Sequence, residues 1–97
     1  MSILQLSLFV AGANDEIRQQ VANLGQAMDA EVGPGNWTLE VVDVLEEPEK
    51  ALQSDVFATP TLVRIVPLPI LKLLGGIAQS EKILSIIASD GKPNQSR

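Results

Sequence analysis

Apolar and polar residues follow one another along the first half of the chain in a pattern that predicts strand, helix and strand. Residues 3–10 form a nearly unbroken apolar segment, typical of a strand covered on both faces in the middle of a sheet. A helix is predicted from Asn14, a capping residue, with four apolar residues on one face: Ile17, Val21, Leu24 and Met28. Residues 37–44 are rich in β-branched side chains and predict the second strand.

The short turns between these elements predict a βαβ unit with parallel strands and a right-handed crossover. Pro48 suits the first turn of a short helix over residues 48–54, where its missing N–H costs nothing. Residues 61–66 predict a third strand. Residues 70–74 fit either a strand or a helix, because a five-residue segment cannot be assigned from periodicity.

The last part of the chain predicts one more helix and a tail. Apolar residues in 80–88 have helical spacing, and the polar segment 91–97 predicts disorder, which leaves residues 1–90 as a single domain. The resulting order, βαβαββα, is that of the α/β thioredoxin-like fold with a central mixed sheet. That fold carries a cis-proline before its third strand, so Pro60 of Thr59-Pro60 is the cis-proline candidate.

The amino-acid composition limits the catalytic and binding chemistry that is open to this chain. The 97 residues include neither Cys nor His, which excludes disulfides, thiolate catalysis, the usual zinc sites and a histidine general base. The net charge of −5 argues against nucleic-acid binding, and no apolar run reaches the length of a membrane span. The N-terminus has no secretory pattern, so the cytoplasm is the expected location. Few enzymes of this size work with the remaining carboxylates, lysines, hydroxyls and backbone amides alone, so we expect a non-enzymatic protein without a cofactor or metal.

Specific motifs in the middle of the chain resemble the KaiB family of circadian clock proteins. The segment Val41–Leu62 matches the family pattern V-I-D-V-L-x-x-P-x(9)-A-T-P-T-L without a gap, through Val-Val-Asp-Val-Leu, Pro48 and Ala-Thr-Pro-Thr-Leu. Leu-Phe-Val-Ala-Gly at 8–12 and Glu-Lys-Ile-Leu at 81–84 add to the resemblance. It covers about residues 3–88, which is nearly the whole chain.

The resemblance implies a clock component that binds the KaiC-type ATPase hexamer, helps to sequester KaiA and competes with the kinase SasA. It also implies two folds, a tetrameric ground state of order βαββααβ and a monomeric thioredoxin-like state that binds KaiC. Leu71, Gly76 and Gln79 stand where the family has an arginine and two acids, so polar contacts of the ground state are missing. We therefore predict a thioredoxin-like, monomeric resting state, with the ground-state fold as the alternative.

By analogy with the family, the candidate partner-binding surface falls within residues 37–57. It comprises five residues: Trp37, Glu46, Glu47, Glu49 and Lys50. The glutamates lack the spacing and glycine bend of a calcium loop, which favours a solvated acidic edge that meets a partner. Trp37 fits either the core or an exposed interface anchor. Asp43, nearby, fits either a partly buried functional carboxylate or a turn residue bonded to the backbone, and we favour the turn.

Other functions remain open. One is a SasA-type sensor module, and another is a KaiB-like stress or regulatory adaptor with a different protein partner. A third, of another class, is a transferase that binds a thiol cofactor through the cis-proline turn. Such enzymes usually carry Ser, Tyr or Cys after the first strand, whereas this chain has Ala-Gly-Ala-Asn at 11–14, so the transferase is the weakest of the three.

Overall fold

The computed structural model describes residues 3–12 and 14–74, which form a four-stranded sheet with one helix on each face. The elements are β1 (Leu4–Val10), α1 (Asp15–Val32), β2 (Trp37–Asp43), α2 (Pro48–Gln53), β3 (Thr61–Val66) and β4 (Leu71–Leu74). The strand order is β2-β1-β3-β4, with β1 and β2 parallel and the other two pairings antiparallel. This mixed sheet confirms the thioredoxin-like prediction, because α2 separates β2 from β3, whereas the ground-state order has none there.

The second half of the chain is described only in part. Segment 70–74, which periodicity could not assign, contains strand β4. The helix predicted over residues 80–88, the tail 91–97 and the domain boundary at residue 90 lie outside the described residues.

Helix α1 begins where the sequence predicts, directly after Asn14. The Asn14 side chain accepts a hydrogen bond from the backbone N–H of Ile17 at 2.8 Å, so it caps the first turn. Gly33 follows the last turn with a φ of 95°, a backbone conformation that favours glycine. The predicted apolar face is confirmed, since Leu24 and Met28 are fully buried and Ile17 packs against the same core.

Strand β1 explains the unbroken apolar run at the start of the chain, because it lies between β2 and β3 and contributes to two cores. Its alternate side chains pack under α1 in a buried cluster of seven residues: Leu4, Leu6, Leu8, Val10, Leu24, Met28 and Leu62. On the opposite face Phe9 joins a smaller cluster beneath α2: Phe9, Val42, Ala51, Val56 and Val63. The two helices therefore cover opposite faces of one central strand.

Candidate protein-binding surface

Three connections of the chain meet at one end of the sheet. Strands β1 and β2 end there, where Val10 pairs with Asp43, and β3 begins there, where Thr61 pairs with Phe9. The β1–α1 turn, the loop after β2 and the turn before β3 are therefore neighbours. The bond before Pro60 in the last of these turns is cis. The cis-proline turn and the acidic loop, both singled out in the sequence, thus lie at the same end of the sheet.

The side chain of Asp43 holds two of these connections together. Its carboxylate accepts hydrogen bonds from the backbone N–H groups of Gly12 at 3.0 Å and Leu45 at 2.9 Å. Its backbone carbonyl accepts from Glu46 at 3.0 Å and Glu47 at 2.8 Å. Both sets of contacts are those of a turn residue bonded to nearby backbone, which is the interpretation favoured from the sequence. Asp43 thereby fixes the acidic loop against the β1–α1 turn.

Helix α2 is short and is closed at its C-terminal end by a Schellman motif. The backbone N–H of Val56 donates to the carbonyl of Ala51 at 2.9 Å, and that of Asp55 donates to the carbonyl of Leu52 at 3.1 Å. Ala51 and Val56 are both buried in the smaller core, which supplies the apolar contact of this motif. Asp55 occupies the left-handed position, with a φ of 56°, where glycine is usual.

With Ala51 facing the sheet, other apolar residues of this region face solvent. Leu45 is 71% exposed, Leu52 is 65% exposed and Phe57 is 82% exposed. Leu52 and Phe57 line a shallow depression of about 370 Å³, which also includes Val44 and Pro48. Leu45 follows Val44 and lies 3.8 Å from the position that a Cβ atom on Gly12 would take. Clustered large apolar residues in solvent mark interaction sites, whereas a single one needs no explanation.

Carboxylates alternate with these apolar side chains. Glu46 follows Leu45, Glu49 precedes Leu52 by three residues on α2, and Asp55 follows Leu52 by three residues. All three acidic residues are exposed, and none of them forms an ion pair with another described residue. We call this region the apolar–acidic surface and define it by six residues: Leu45, Glu46, Glu49, Leu52, Asp55 and Phe57.

Two of the predicted site residues, Lys50 and Glu47, form an ion-pair network beside this surface. The Lys50 ammonium lies 2.9 Å from the Glu40 carboxylate on β2 and 3.4 Å from that of Glu47. The hydrogen bond to Glu40 is the largest cause of a raised pKa at Lys50, followed by the charges of Glu40 and Glu47. The network links α2 to β2 and leaves Glu46 and Glu49 as the carboxylates available to a partner.

Trp37 does not join the other predicted site residues. It stands at the start of β2, about 20 Å along the strand from Asp43. Its indole packs over Gly25 of α1 and donates a hydrogen bond to the Asp29 carboxylate at 2.8 Å. The side chain is half-buried against the larger core, on the face opposite α2. The structure thus brings together Glu46, Glu47, Glu49 and Lys50 and separates Trp37 from them.

The exposed apolar members of the surface were missed from the sequence. The exposure of Leu52 could have been predicted from helical periodicity. A helix that begins at Pro48 and buries Ala51 must turn the next residue away from the sheet. Phe57 gave no such signal, since the residue before it, Val56, is buried by the Schellman motif rather than by any periodic pattern. Glu46 and Glu49 were among the predicted residues because glutamates cluster at 46–49, whereas Asp55 was not predicted.

A second depression lies on the other flank of α2, over β3 and β4. It has a volume of about 630 Å³ and is lined by seven residues: Gln53, Ser54, Asp55, Val63, Ile65, Ile70 and Lys72. The Lys72 ammonium donates to the backbone carbonyl of Asp55 at 3.4 Å. This β3–β4 depression shares Asp55 with the apolar–acidic surface and otherwise has neither its glutamates nor its exposed aromatic ring.

The described part of the chain contains neither a metal-binding cluster nor a membrane-spanning helix. No group of three or more carboxylates is arranged there to hold a metal ion. Neither described helix has the length and apolarity needed to cross a membrane.

The structure defines a thioredoxin-like protein in which one end of the sheet carries exposed apolar and acidic side chains. Comparison with known proteins then identifies the family: the KaiB domain model matches residues 7–88, and the chain belongs to the KaiB family. The chain is 30% identical over 84 residues to circadian clock protein KaiB3 of Synechocystis sp., covering 87% of this chain and 81% of that protein. It is 34% identical over 79 residues to circadian clock oscillator protein KaiB of Synechococcus elongatus, covering 81% and 76% of the two chains.

Solved structures of the same fold include a clock protein and a redox protein. The N-terminal domain of SasA from Synechococcus elongatus superposes with a TM-score of 0.65 at 28% identity, covering 90% of this chain and 81% of that one. Mitochondrial thioredoxin 3 of Saccharomyces cerevisiae gives a TM-score of 0.64 at 19% identity, covering 89% and 80%, which shows the shared fold alone. Family membership and the SasA likeness support a clock-regulatory role.

Proposed function

We propose that this protein is a non-enzymatic KaiB-type adaptor that binds a KaiC-type ATPase hexamer through the apolar–acidic surface. In this role it competes with SasA-type sensor domains and takes part in sequestering a KaiA-type protein. The observation that carries the proposal is the α2 insertion between β2 and β3, since the family resemblance implies that KaiC binds the thioredoxin-like form.

The likeness to the SasA domain supports the competition. The two proteins share a fold over about nine-tenths of this chain, so the same end of the sheet is available in both for a common partner. Binding through that end needs no chemistry, and the chain has no cysteine with which to perform thiol–disulfide exchange. The exposed Leu52 and Phe57 supply the apolar contact area that a stable interface places at its centre.

Comigration with the hexamer tests the proposal. The protein is mixed with a KaiC-type ATPase hexamer and ATP, and the mixture is run on a sizing column after minutes and after hours. We expect the protein to elute with the hexamer, and the variant Phe57→Ala to elute mostly as free protein. Leu68→Ala is the matched control, because Leu68 is also largely exposed, at 70% against 82% for Phe57, but lies in the β3–β4 turn. Elution of the unaltered protein apart from the hexamer at every concentration contradicts the proposal.

The rate of comigration also tests the resting fold. A thioredoxin-like resting state binds within minutes, whereas a resident ground state must convert first and binds over hours. Cα chemical shifts give an independent measurement, with helical values expected at residues 81–88, which lie outside the described residues. Strand values there would contradict a thioredoxin-like resting state even if binding were observed.

A further inference from the structure

We infer that the partner's contact surface is basic as well as apolar. The carboxylates of the apolar–acidic surface then select the partner by attracting its basic groups. The inference deepens the proposed function and rests on it for the identity of the site. It concerns the chemistry of the partner, namely apolar side chains flanked by Lys or Arg.

The charge around the exposed apolar residues is one-sided. Glu46 and Glu49 each neighbour an exposed apolar side chain and form no ion pair within the described residues. Asp55 forms no ion pair there either, but the Lys72 ammonium donates to its backbone carbonyl, so the unpaired negative charge is that of the two glutamates. The nearby cation, Lys50, is held by Glu40 and Glu47 and offers no free positive charge. A partner that covers Leu52 and Phe57 therefore brings its own groups close to unpaired carboxylates. Acidic groups there would be repelled, and basic groups would be attracted.

The geometry adds a reason for selectivity. Glu49 lies three residues before Leu52, on the same face of α2, so a partner's apolar side chain that contacts Leu52 comes close to the Glu49 carboxylate. Burial of the apolar contact lowers the local dielectric constant and strengthens these charge interactions. An apolar contact alone would accept many partners, whereas the neighbouring carboxylates reject those of the wrong charge.

The matched variants are two double charge reversals. Glu46→Lys/Glu49→Lys inverts the surface, and Glu16→Lys/Glu31→Lys makes the same change in net charge on α1. Each pair includes one acidic residue from the first turn of a helix, Glu49 in α2 and Glu16 in α1. Each protein thus loses one favourable helix-dipole contact, and the control also gains one, because Glu31 lies in the last turn of α1, where lysine is favourable. All four residues are exposed, and none belongs to an ion pair within the described residues.

Two probes separate this inference from the proposed function. The first is the KaiC-type hexamer, with Kd measured by fluorescence anisotropy at about 0.1 M and about 1 M salt. The second is a pair of synthetic helical peptides with the same leucine stripe, flanked by lysines in one and by glutamates in the other. Amide chemical shifts of the labelled protein locate the peptide, at Leu45, Leu52 and Phe57 or in the β3–β4 depression.

We expect the lysine peptide to bind at the apolar–acidic surface, about tenfold or more tightly than the glutamate peptide. The Glu46→Lys/Glu49→Lys variant should reverse that order, and Glu16→Lys/Glu31→Lys should keep it. Equal binding of the two peptides, binding in the β3–β4 depression, or no binding of either overturns the inference. Concentration-dependent self-association that the surface reversal abolishes also overturns it, because the occupant would then be a second copy.

Binding to the hexamer distinguishes failure of the inference from failure of the proposed function. If it binds and neither surface reversal nor salt weakens it, the inference fails and the proposed function stands. If it does not bind but the lysine peptide does at the expected residues, the proposed function fails and the basic partner remains to be found. Loss of both contradicts both.

Discussion

The carboxylate of Asp43 accepts the backbone N–H of Gly12 at 3.0 Å, a contact between turns that are 31 residues apart in sequence. The same oxygen accepts from Leu45, so one side chain positions both the β1–α1 turn and the acidic loop. Gly12 has a φ of 86°, a backbone conformation that favours glycine. The candidate site is therefore built on a polar contact that lies outside it.

Replacing Asp43 by alanine tests this arrangement. The Gly12 and Leu45 N–H groups lose their acceptor, and we expect the free energy of unfolding to fall by about 1–2 kcal/mol, measured by urea denaturation. The variant Asp43→Asn keeps an acceptor oxygen in the same place and should lose less than about 1 kcal/mol. Equal losses in the two variants would mean that the charge, rather than the hydrogen bonds, stabilises the turn.

The sequence predicted the first half of the fold well because each element there carries its own local signal. Asn14 marks the start of α1, and Pro48 the start of α2. Thr59-Pro60 supplied the position of a cis bond, which the structure has. Strand β4 could not be assigned from its own residues, because its strand character comes from pairing with β3.

Two acidic residues of the candidate surface were predicted from the sequence, but its exposed apolar residues were not. Glu46 and Glu49 are evident in the sequence, whereas the exposure of Phe57 depends on a turn that buries its neighbour Val56. Trp37 was placed with the acidic loop because both lie in residues 37–57. Alternation along β2, however, directs its side chain to α1, and the length of the strand takes it to the other end.

The contact between Trp37 and Gly25 leads to a prediction about stability. A Cβ atom on Gly25 would lie 3.5 Å from the indole, an ordinary van der Waals contact, and Gly25 is in the middle of α1. Gly25→Ala should therefore raise the free energy of unfolding by about 0.5–1 kcal/mol, because alanine favours the helix more than glycine does. Gly12→Ala is the matched control and should destabilise the protein, since Gly12 has a positive φ. Destabilisation by Gly25→Ala would show that the indole cannot accept the methyl group.

The position of Trp37 also predicts a spectroscopic result. It is the single tryptophan of the chain, and it lies against α1 rather than on the apolar–acidic surface. Its fluorescence maximum should stay unchanged when a partner that contains no tryptophan binds at α2. Trp37→Phe should lower the free energy of unfolding by about 0.5–1.5 kcal/mol through loss of the hydrogen bond to Asp29, without weakening partner binding. A shifted maximum on binding would place Trp37 in the interface after all.

Asp55 offers a separate test, because it adopts the left-handed conformation that ends α2. In the folded state that conformation destabilises a residue with a side chain by roughly 1–2 kcal/mol, and glycine removes this strain. Glycine also makes the unfolded chain more flexible, which lowers stability by about 0.4–1 kcal/mol. Asp55→Gly should therefore stabilise the protein by about 0.5–1 kcal/mol in urea denaturation. Asp55→Val, with a branched side chain in the same conformation, should destabilise it. A loss of stability with glycine would mean that the Asp55 side chain supports the turn by local contacts.

The ion pair between Lys50 and Glu40 predicts a pH dependence with a definite sign. Contact with Glu40 raises the pKa of Lys50 above its ordinary value of 10.5, so the folded state holds the proton more tightly than the unfolded chain does. Its contribution to stability is therefore fully present below pH 10.5 and is lost as the pH rises through the folded pKa. The difference in Tm between the protein and Lys50→Met should stay constant from about pH 7 to about pH 9 and then shrink. The difference in Tm should be small at every pH, because the pair is exposed to solvent.

The control is the same comparison in a Glu40→Gln background. There the difference in Tm should be smaller at every pH below the pKa of Lys50. A difference that grew with rising pH would contradict the assigned direction.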